Sequence, residues 1–367
     1  MTGIWRIILL CVLIIGCQPE PELEQSVAWG SRIAFDRPQA IQHVDDYLVV
    51  SNTGYDPAEW RPGSIVVINS DGQEVHRHTT SRLNPQRILV DEDYLYVINT
   101  GTYDFSDFAR PKPASPGSID RIRRDSLADP QLEVDSLDFS GMPQFASPVD
   151  GAILDSTLIV TSGLLTGFLK IDLKSFSVVG ETVFWGDEDV IGLGAVTGWS
   201  GGFIISDFNA DQLIFLDRNG EVICETYAGT QQGTIEGATA PRVFDDTLFV
   251  TLSLAGVLRS MPLDRDTLCT PALADTVSPL GQVPNDVIIE DEIIWIVHSG
   301  DNQITGFPRS DSGERVALLC PVGSNPWHMS LHPRRRELAV TEWKGNGVTL
   351  FDLEKGASRR LSNDSIP

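Results

Sequence analysis

Two stretches decide the reading of this chain: DYLVVSNTGY at residues 46–55 and DYLYVINTGTY at residues 93–103 are nearly the same phrase written twice. Each opens on an acidic turn and runs on through β-branched and aromatic residues, the composition of a buried strand. Aligning the remaining sequence on that phrase finds six-residue relatives starting at Tyr47, Tyr94, Thr157, Gly202, Thr247, Ile293 and Glu337, at spacings of 47, 63, 45, 45, 46 and 44. That makes seven copies of one unit. A second apolar strand follows each copy, usually opened by Gly or Gln, as in GSIVVIN at Gly63, GFLKIDL at Gly167, QLIFLDR at Gln212 and GVTLFDL at Gly347. A Pro or Gly precedes each copy and marks a lead-in strand: Pro38, Pro85, Pro148, Gly192, Pro241, Pro284 and Pro326. A turn and outer strand complete the unit, most clearly at Asn219-Gly220-Glu221-Val222-Ile223. Four short strands, repeated seven times, predict an all-β fold: a seven-bladed β-propeller with four-stranded antiparallel blades over residues 30–367.

Closure is the physical reason for the repetition. A single four-stranded blade has two apolar faces and cannot cover either alone, whereas a ring covers each face with a neighbour and leaves only short edges. The last outer strand has two candidates, residues 32–36 (RIAFD) and residues 357–361. The N-terminal segment is favoured, because it is apolar and directly precedes Pro38, as outer strands precede the lead-in residues elsewhere.

The succession of Pro, apolar strand, acidic turn, YLYVIN, Gly-Ser-Ile-x-x-Ile and Glu-Val resembles the YVTN/NHL class of propellers over residues 38–362. The resemblance implies the fold. It does not fix an activity, since that class serves binding, scaffolding and occasionally catalysis.

The N-terminus carries an address. Residues 1–16 hold one cation, Arg6, followed by an apolar run over residues 7–15 that is too short to span a bilayer and reads as a secretory signal. Ile14-Ile15-Gly16-Cys17 resembles the bacterial lipobox, which implies cleavage before Cys17 and a diacylglycerol on its thiol. Gln18, next to that cysteine, favours the outer membrane, and residues 17–29 read as the lipidated cysteine and a polar, Pro-containing tether. The expected location is the cell envelope, periplasmic or surface-exposed, with membrane contact through the lipid alone.

Composition excludes several functions. With 27 basic against 51 acidic side chains the formal charge is −24, which repels nucleic acid and anionic headgroups. Only five of the bases are lysine, a pattern of proteins that work in high salt or of acidic secreted proteins. Beyond Cys11 and Cys17 the cysteines are Cys224, Cys269 and Cys320, an odd number that argues against a fold built on disulfides. No CxxC, HExxH or GxSxG occurs, so haem attachment, structural zinc, metalloprotease and α/β-hydrolase chemistry find no support.

Candidate sites cluster on one face. Loops joining the second and third strands, and those leading into the first, surround the central channel on the same side of such a ring. Two are long: residues 53–62 (TGYDPAEWRP) in blade one and residues 100–116 (TGTYDFSDFARPKPASP) in blade two. Tyr55 and Trp60, then Tyr103, Phe105 and Phe108, and finally Trp327 and Trp343 fall on three adjacent blades of the closed ring. Such rings stack on sugars or clamp peptides, and Asp56, Glu59, Asp104, Asp107 and Glu342 among them accept hydroxyls or cations. The plainer reading is that the rings pack their loops onto the blade tops.

A second set is the last residue of each second strand: Asn52, Asn99, Ser162, Asp207, Leu252, His298 and Glu342. These read either as turn and cap groups or as ligand contacts. A third set, Asp150, Asn285, Asp286 and His328, occupies lead-in loops of blades three, six and seven and offers hard ligands for Ca²⁺, with Asn52 or Asp207 completing the shell. Pro284-Asn285-Asp286 resembles a ligand-bearing motif of gluconolactonase/regucalcin-like propellers, which are metal-dependent hydrolases, and Glu236-Gly237 resembles another. The glutamate that family carries at the first lead-in is replaced by Gln39. The functional expectation is therefore a binding or scaffolding module for a protein, peptide or carbohydrate, with a Ca²⁺-dependent hydrolase as the alternative.

Overall fold

The computed structural model describes residues 28–29 and 33–362, apart from 57–58, 107–111, 143–144, 166, 186–193, 230–233, 271–273, 278–279, 291–292 and 310–317. The signal segment, Cys17, Asp107 and Phe108 lie outside the described residues.

All seven phrases are strands at the expected positions: Tyr47–Asn52, Tyr94–Asn99, Thr157–Ser162, Gly202–Asp207, Thr247–Leu252, Ile293–His298 and Glu337–Glu342. Each is the second strand of a four-stranded antiparallel blade, and the blades follow one another as a seven-bladed propeller. Blade two departs in one place: its long loop carries a small hairpin, Thr102–Asp104 paired with Lys112–Ser115, that stands off the blade. The extra length of this loop accounts for much of the 63-residue spacing between the second and third copies.

Alternation within each phrase explains why it reads as continuously apolar. Side chains on a strand point alternately to its two faces, and in a propeller both faces are covered. In blade one Val49 packs into the cluster shared with blade two, among Val97 and Ile122, while Leu48 and Val50 pack into the cluster shared with blade seven, among Val348 and Leu350. The same division recurs at each blade-to-blade boundary among the described residues, so the core is a ring of seven separate apolar seams.

The hydroxyl at the fifth position of the phrase has a specific use. Ser51 Oγ donates to Pro85 O at 2.9 Å, Thr161 Oγ1 to Gly194 O at 2.5 Å and Thr341 Oγ1 to Gln39 O at 2.8 Å. In each case a second strand ties itself to the first strand of the next blade, and the Thr341 bond does so across the point where the ring closes.

Two expectations are corrected here. The favoured outer strand of the last blade, residues 32–36, does not take that place: its described residues 33–36 form no strand, and Ala357–Ser362 completes the blade, antiparallel to Gly347–Asp352. Charge pairing accounts for the choice, because Arg360 Nε lies 2.6 Å from Glu342 Oε2 and Arg359 Nη2 lies 3.3 Å from Glu337 Oε2, both partners on the second strand of the same blade. The N-terminal segment instead lays Ile33 and Phe35, both fully buried, into the seam between blades seven and one, and Ala28–Trp29 adds a short parallel strand outside Ala357–Ser362. Pro241 also does not begin a strand. The first strand of blade five is Ala238–Phe244, and Pro241 sits inside it where the register shifts between Thr239 and Arg242, with Ala240 at φ +46°. A bulge is where a residue without an N–H fits a ladder.

One disulfide, Cys224–Cys269, joins the outer strand of blade four to the segment after the third strand of blade five, and Cys320 is a free thiol. The bridge staples two neighbours. It does not build the fold.

Candidate functional site

The first strands line the central channel, and the third residue of four Pro-x-x lead-ins reaches into it. Arg87 follows Pro85-Gln86, Asp150 follows Pro148-Val149, Asp286 follows Pro284-Asn285, and His328 follows Pro326-Trp327. These four, with Arg242 from the bulge of blade five, form an ion-paired layer across the channel. Arg87 Nε is 2.9 Å from Asp150 Oδ1, and Asp150 also accepts from the Gly151 N–H at 2.8 Å and, in blade four, the Val196 N–H at 3.0 Å. Arg242 pairs with Asp286 Oδ1 while its Nε donates to Val287 O at 3.1 Å. Asp286, only 2% exposed, accepts in addition from the Met329 and Val287 N–H groups, each at 3.0 Å, and lies 3.4 Å from His328 Nδ1. His328 Nδ1 is also 3.4 Å from Arg87 Nη1, so one network spans blades two, six and seven.

Burial works against charge at both ends of this network. It pushes the Asp286 carboxyl up, but Arg242, His328 and Arg87 outweigh it and hold the group well below the usual carboxylate range. Burial lowers His328 against the opposing pull of Asp286, which keeps the imidazole neutral near pH 7.

Above this layer opens a cavity of about 630 Å³, and below it lies a smaller one of about 260 Å³ among Ile41, Ile88, Ile288 and Met329. Arg87, Arg242 and Asp286 border both, so the layer is the floor of the upper cavity. One wall of that cavity is aromatic. Tyr55, Trp60, Tyr103, Phe105, Trp327 and Trp343, expected to meet on three adjacent blades, all line it. Tyr55 lies 4.9 Å from Trp60 at 72° and 5.6 Å from Trp343 at 31°, and Tyr103 lies 5.8 Å from Phe105 at 65°. Burial raises the Tyr103 phenol. Its hydroxyl lies where a Cβ on Gly163 would fall 2.4 Å away, so the glycine in blade three makes room for a ring carried by blade two.

The strand-end set falls elsewhere. Asn52, Asn99, His298 and Glu342 are buried within their blades and do not border the cavity. Asn52 Oδ1 accepts from the Asp36 N–H at 3.0 Å, Asn99 Nδ2 donates to Asp120 Oδ2 and Ser118 Oγ at 2.9 Å, and Glu342 Oε1 accepts from the Gly323 N–H at 2.9 Å. Asp207 Oδ2 accepts from Trp185 Nε1 at 2.9 Å. These are cap groups, the plainer of the two readings. His298 pairs its Nε2 with Thr305 Oγ1, and burial lowers its pKa to about 4 against the pull of Asp301 and the Gly281 backbone.

A stability prediction follows from that shift. The unfolded imidazole takes up its proton near pH 6.5, whereas the folded one resists until about 4. Stability contributed by neutral His298 is therefore complete above pH 6.5 and falls as the pH drops toward 4, by about 3 kcal/mol in all. Urea unfolding at pH 7 and pH 4.5 should show a smaller loss for His298→Gln than for the wild type. Equal losses in the two proteins would show that this imidazole is not responsible.

Asp150, Asn285, Asp286 and His328 do converge on the cavity, yet the arrangement does not fit Ca²⁺. Both carboxylates are already ion-paired with a guanidinium and accept from two N–H groups, and two half-buried cations beside them oppose a third. Asn52 and Asp207, expected to complete the shell, are engaged within their blades. Among the described residues no group of three or more His, Cys, Asp or Glu side chains is placed to hold a metal. Glu236 likewise stays out of the channel: its N–H is held by Asp211 Oδ2 at 2.7 Å and its carboxylate lies 4.0 Å from Arg259. Arg87 and Arg242 were missed in reading the sequence, although the position of Arg87, third in its Pro-x-x lead-in, was a usable signal.

No family profile and no curated protein matches the sequence. Solved structures are similar in fold. A Myceliophteria thermophila Cps50 (Swd1) β-propeller domain superposes with a TM-score of 0.65 at 12% identity over 88% of this chain and 99% of that one. A catalytically inactive virginiamycin B lyase from Staphylococcus aureus, solved with quinupristin, gives 0.61 at 10% identity over 89% and 96%. Hydrazine synthase from Kuenenia stuttgartiensis gives 0.62 at 13% identity over 90% and 99%. At such identities the likeness is one of architecture, and the varied company shows how many functions this ring carries.

Proposed function

We propose that the chain is a YVTN/NHL-like binding propeller of the bacterial envelope, tethered through a lipid on Cys17, that captures a small ligand or a projecting peptide or sugar group in the mouth cavity. The observation that carries the binding reading is the convergence of six aromatic side chains from blades one, two and seven on one wall of a cavity of about 630 Å³, a size typical of ligand sites. Aromatic walls supply stacking surface at little entropic cost, and the ion-paired floor supplies directional polar groups. The Cys224–Cys269 bridge supports an oxidising compartment, in keeping with the signal and the lipobox-like Ile14-Ile15-Gly16-Cys17.

Saturation-transfer NMR against a fixed panel of neutral oligosaccharides, tripeptides and alkylammonium fragments tests the reading. At least one class should bind, and Trp60→Ala combined with Trp343→Ala should weaken it by roughly tenfold or more, each stacked ring contributing on the order of 1 kcal/mol. Arg334→Ala, in the turn on the opposite face, should leave binding unchanged. Silence across the panel, or binding indifferent to both tryptophans, would count against a binding site here.

A further inference from the structure

The mouth cavity has two unlike walls. Blades seven, one and two supply the rings, and the other four blades supply further apolar cover: Val149 and Leu164 from blade three, Ala195 and Phe208 from blade four, Leu254 from blade five and Val283 from blade six. Glycines let this second wall close up. A Cβ on Gly237 would fall 2.9 Å from the Phe208 ring and 3.1 Å from Leu254 Cγ, so side chains of neighbouring blades meet over it. A Cβ on Gly163 would lie 3.6 Å from Val149 as well as against the Tyr103 hydroxyl, and there the two walls join. The charged groups on the cavity are engaged or hydrated. Arg87 pairs with Asp150 and Arg242 with Asp286, which leaves the floor without net charge beside a neutral His328. Asp56 has a partner of its own, and Glu59 is exposed to water. Two lining hydroxyls are turned to the backbone: Thr53 Oγ1 donates to Arg37 O at 3.2 Å and Ser253 Oγ to Pro284 O at 2.7 Å. Leu254, by contrast, stays 38% exposed, an apolar side chain on the cavity that the protein itself leaves partly uncovered.

We propose that the cavity is selective for an uncharged apolar group, an aryl or short alkyl body with at most one neutral hydrogen-bonding end, held between the rings of Tyr55, Trp60 and Trp343 and the side chains of Phe208 and Leu254 across the channel. This names the ligand class for the binding reading above and rests on it. Both walls offer the same force, removal of apolar surface from water, and a ligand that is apolar on two sides draws on both at once. A sugar would stack one face on the rings, but hydroxyls on its other side would meet the Leu164, Phe208 and Leu254 wall and lose their water without a replacement there. An ammonium or a carboxylate would give up its hydration beside floor charges that already neutralise one another. The group fits equally as a free small molecule or as a side chain projecting from a peptide, since a cavity of about 630 Å³ has room for either.

Titration calorimetry with the neutral series from benzyl alcohol to 4-phenylbutanol decides the matter. Affinity should rise roughly threefold or more with each added methylene, with a negative heat-capacity change, and raising NaCl from about 0.05 to 0.5 M should not weaken it. 3-Phenylpropylammonium and 4-phenylbutyrate should each bind more weakly than 4-phenylbutanol. Leu254→Asn, a change at a half-open side chain, should weaken 4-phenylbutanol by roughly fivefold and leave the urea midpoint in place, which separates the lost contact from damage to the fold. A blocked Gly-Phe-Gly tripeptide that outbinds 3-phenylpropanol identifies a peptide side chain as the source of the group, and the reverse order identifies a free molecule; the apolar assignment holds in both cases. Affinity that stays flat along the series, or tighter binding of either ion, would overturn the assignment. If an oligosaccharide from the panel binds through Trp60 and Trp343 while no phenylalkanol does, the apolar assignment fails and the binding reading survives. If no probe of any class binds, both fail.

Discussion

Asp286→Ala should cost about 3–5 kcal/mol of unfolding free energy, the largest loss expected of any single substitution on the channel floor. The carboxylate is 2% exposed and accepts from Arg242, His328 and the N–H groups of Val287 and Met329, so truncation leaves a half-buried guanidinium and two amides without their acceptor. The group ties blades five, six and seven together at the axis, where no other described carboxylate replaces it. Its depressed pKa means that the stability it contributes is present above the ordinary carboxylate range and is lost as the pH falls through and below it. The measurement is urea unfolding of wild type, Asp286→Ala, Arg242→Met and the double variant. The double variant should recover much of the loss, because deleting both charges removes the unpaired cation. A loss below about 1 kcal/mol for Asp286→Ala, or no recovery in the double variant, would mean the pair does not hold the floor.

Opening the Cys224–Cys269 bridge is the second large effect. The cysteines are 45 residues apart, and closing a loop of that length restrains the unfolded chain by about 4 kcal/mol in the chain-entropy account. Cys269 is exposed and Cys224 only half-buried, so a soluble phosphine should reach the bond without prior unfolding. Both ends lie at the rim of a formed seam, with Cys224 packed against the cluster shared by blades four and five, so reduction should leave the fold intact and shift only its stability. The expected outcome is an unfolding midpoint lowered by reductant in the wild type and unmoved by it in Cys224→Ser/Cys269→Ser. A wild-type midpoint indifferent to reductant would show that the bridge contributes nothing.

How much of this was legible beforehand depends on the range of the interaction. The phrase at Tyr47, Tyr94 and their relatives encodes a strand covered on both faces, a local property with a period of two, and every copy is a strand where that pattern puts it. Repeat spacing then places Tyr55, Trp60, Trp327 and Trp343 on neighbouring blades, and the cavity they line follows from ring closure. Asn52, Asn99, His298 and Glu342 occupy equivalent repeat positions, but equivalence cannot tell a group that faces the channel from one that turns back to cap a loop. Arg87 and Arg242 escaped notice for a related reason. Their partners Asp150 and Asp286 read as cation ligands when considered alone, and only the approach of the arginines, each reaching into the next blade, converts them into ion pairs.

The number of blades, the identity of their buried strands and the face on which the long loops gather were all readable from the chain, because each depends on patterns within one repeat or on counting repeats. Tertiary structure alone decided which segment completes the last blade, which cysteines meet and what charge the channel floor presents. Those outcomes are competitions between segments far apart in the chain: Glu337 and Glu342 select Arg359 and Arg360 over the apolar N-terminal segment, and Ile33 and Phe35 are left to fill the seam. Periodicity carries no information about such contests, since their result is set by through-space pairing once the ring has closed.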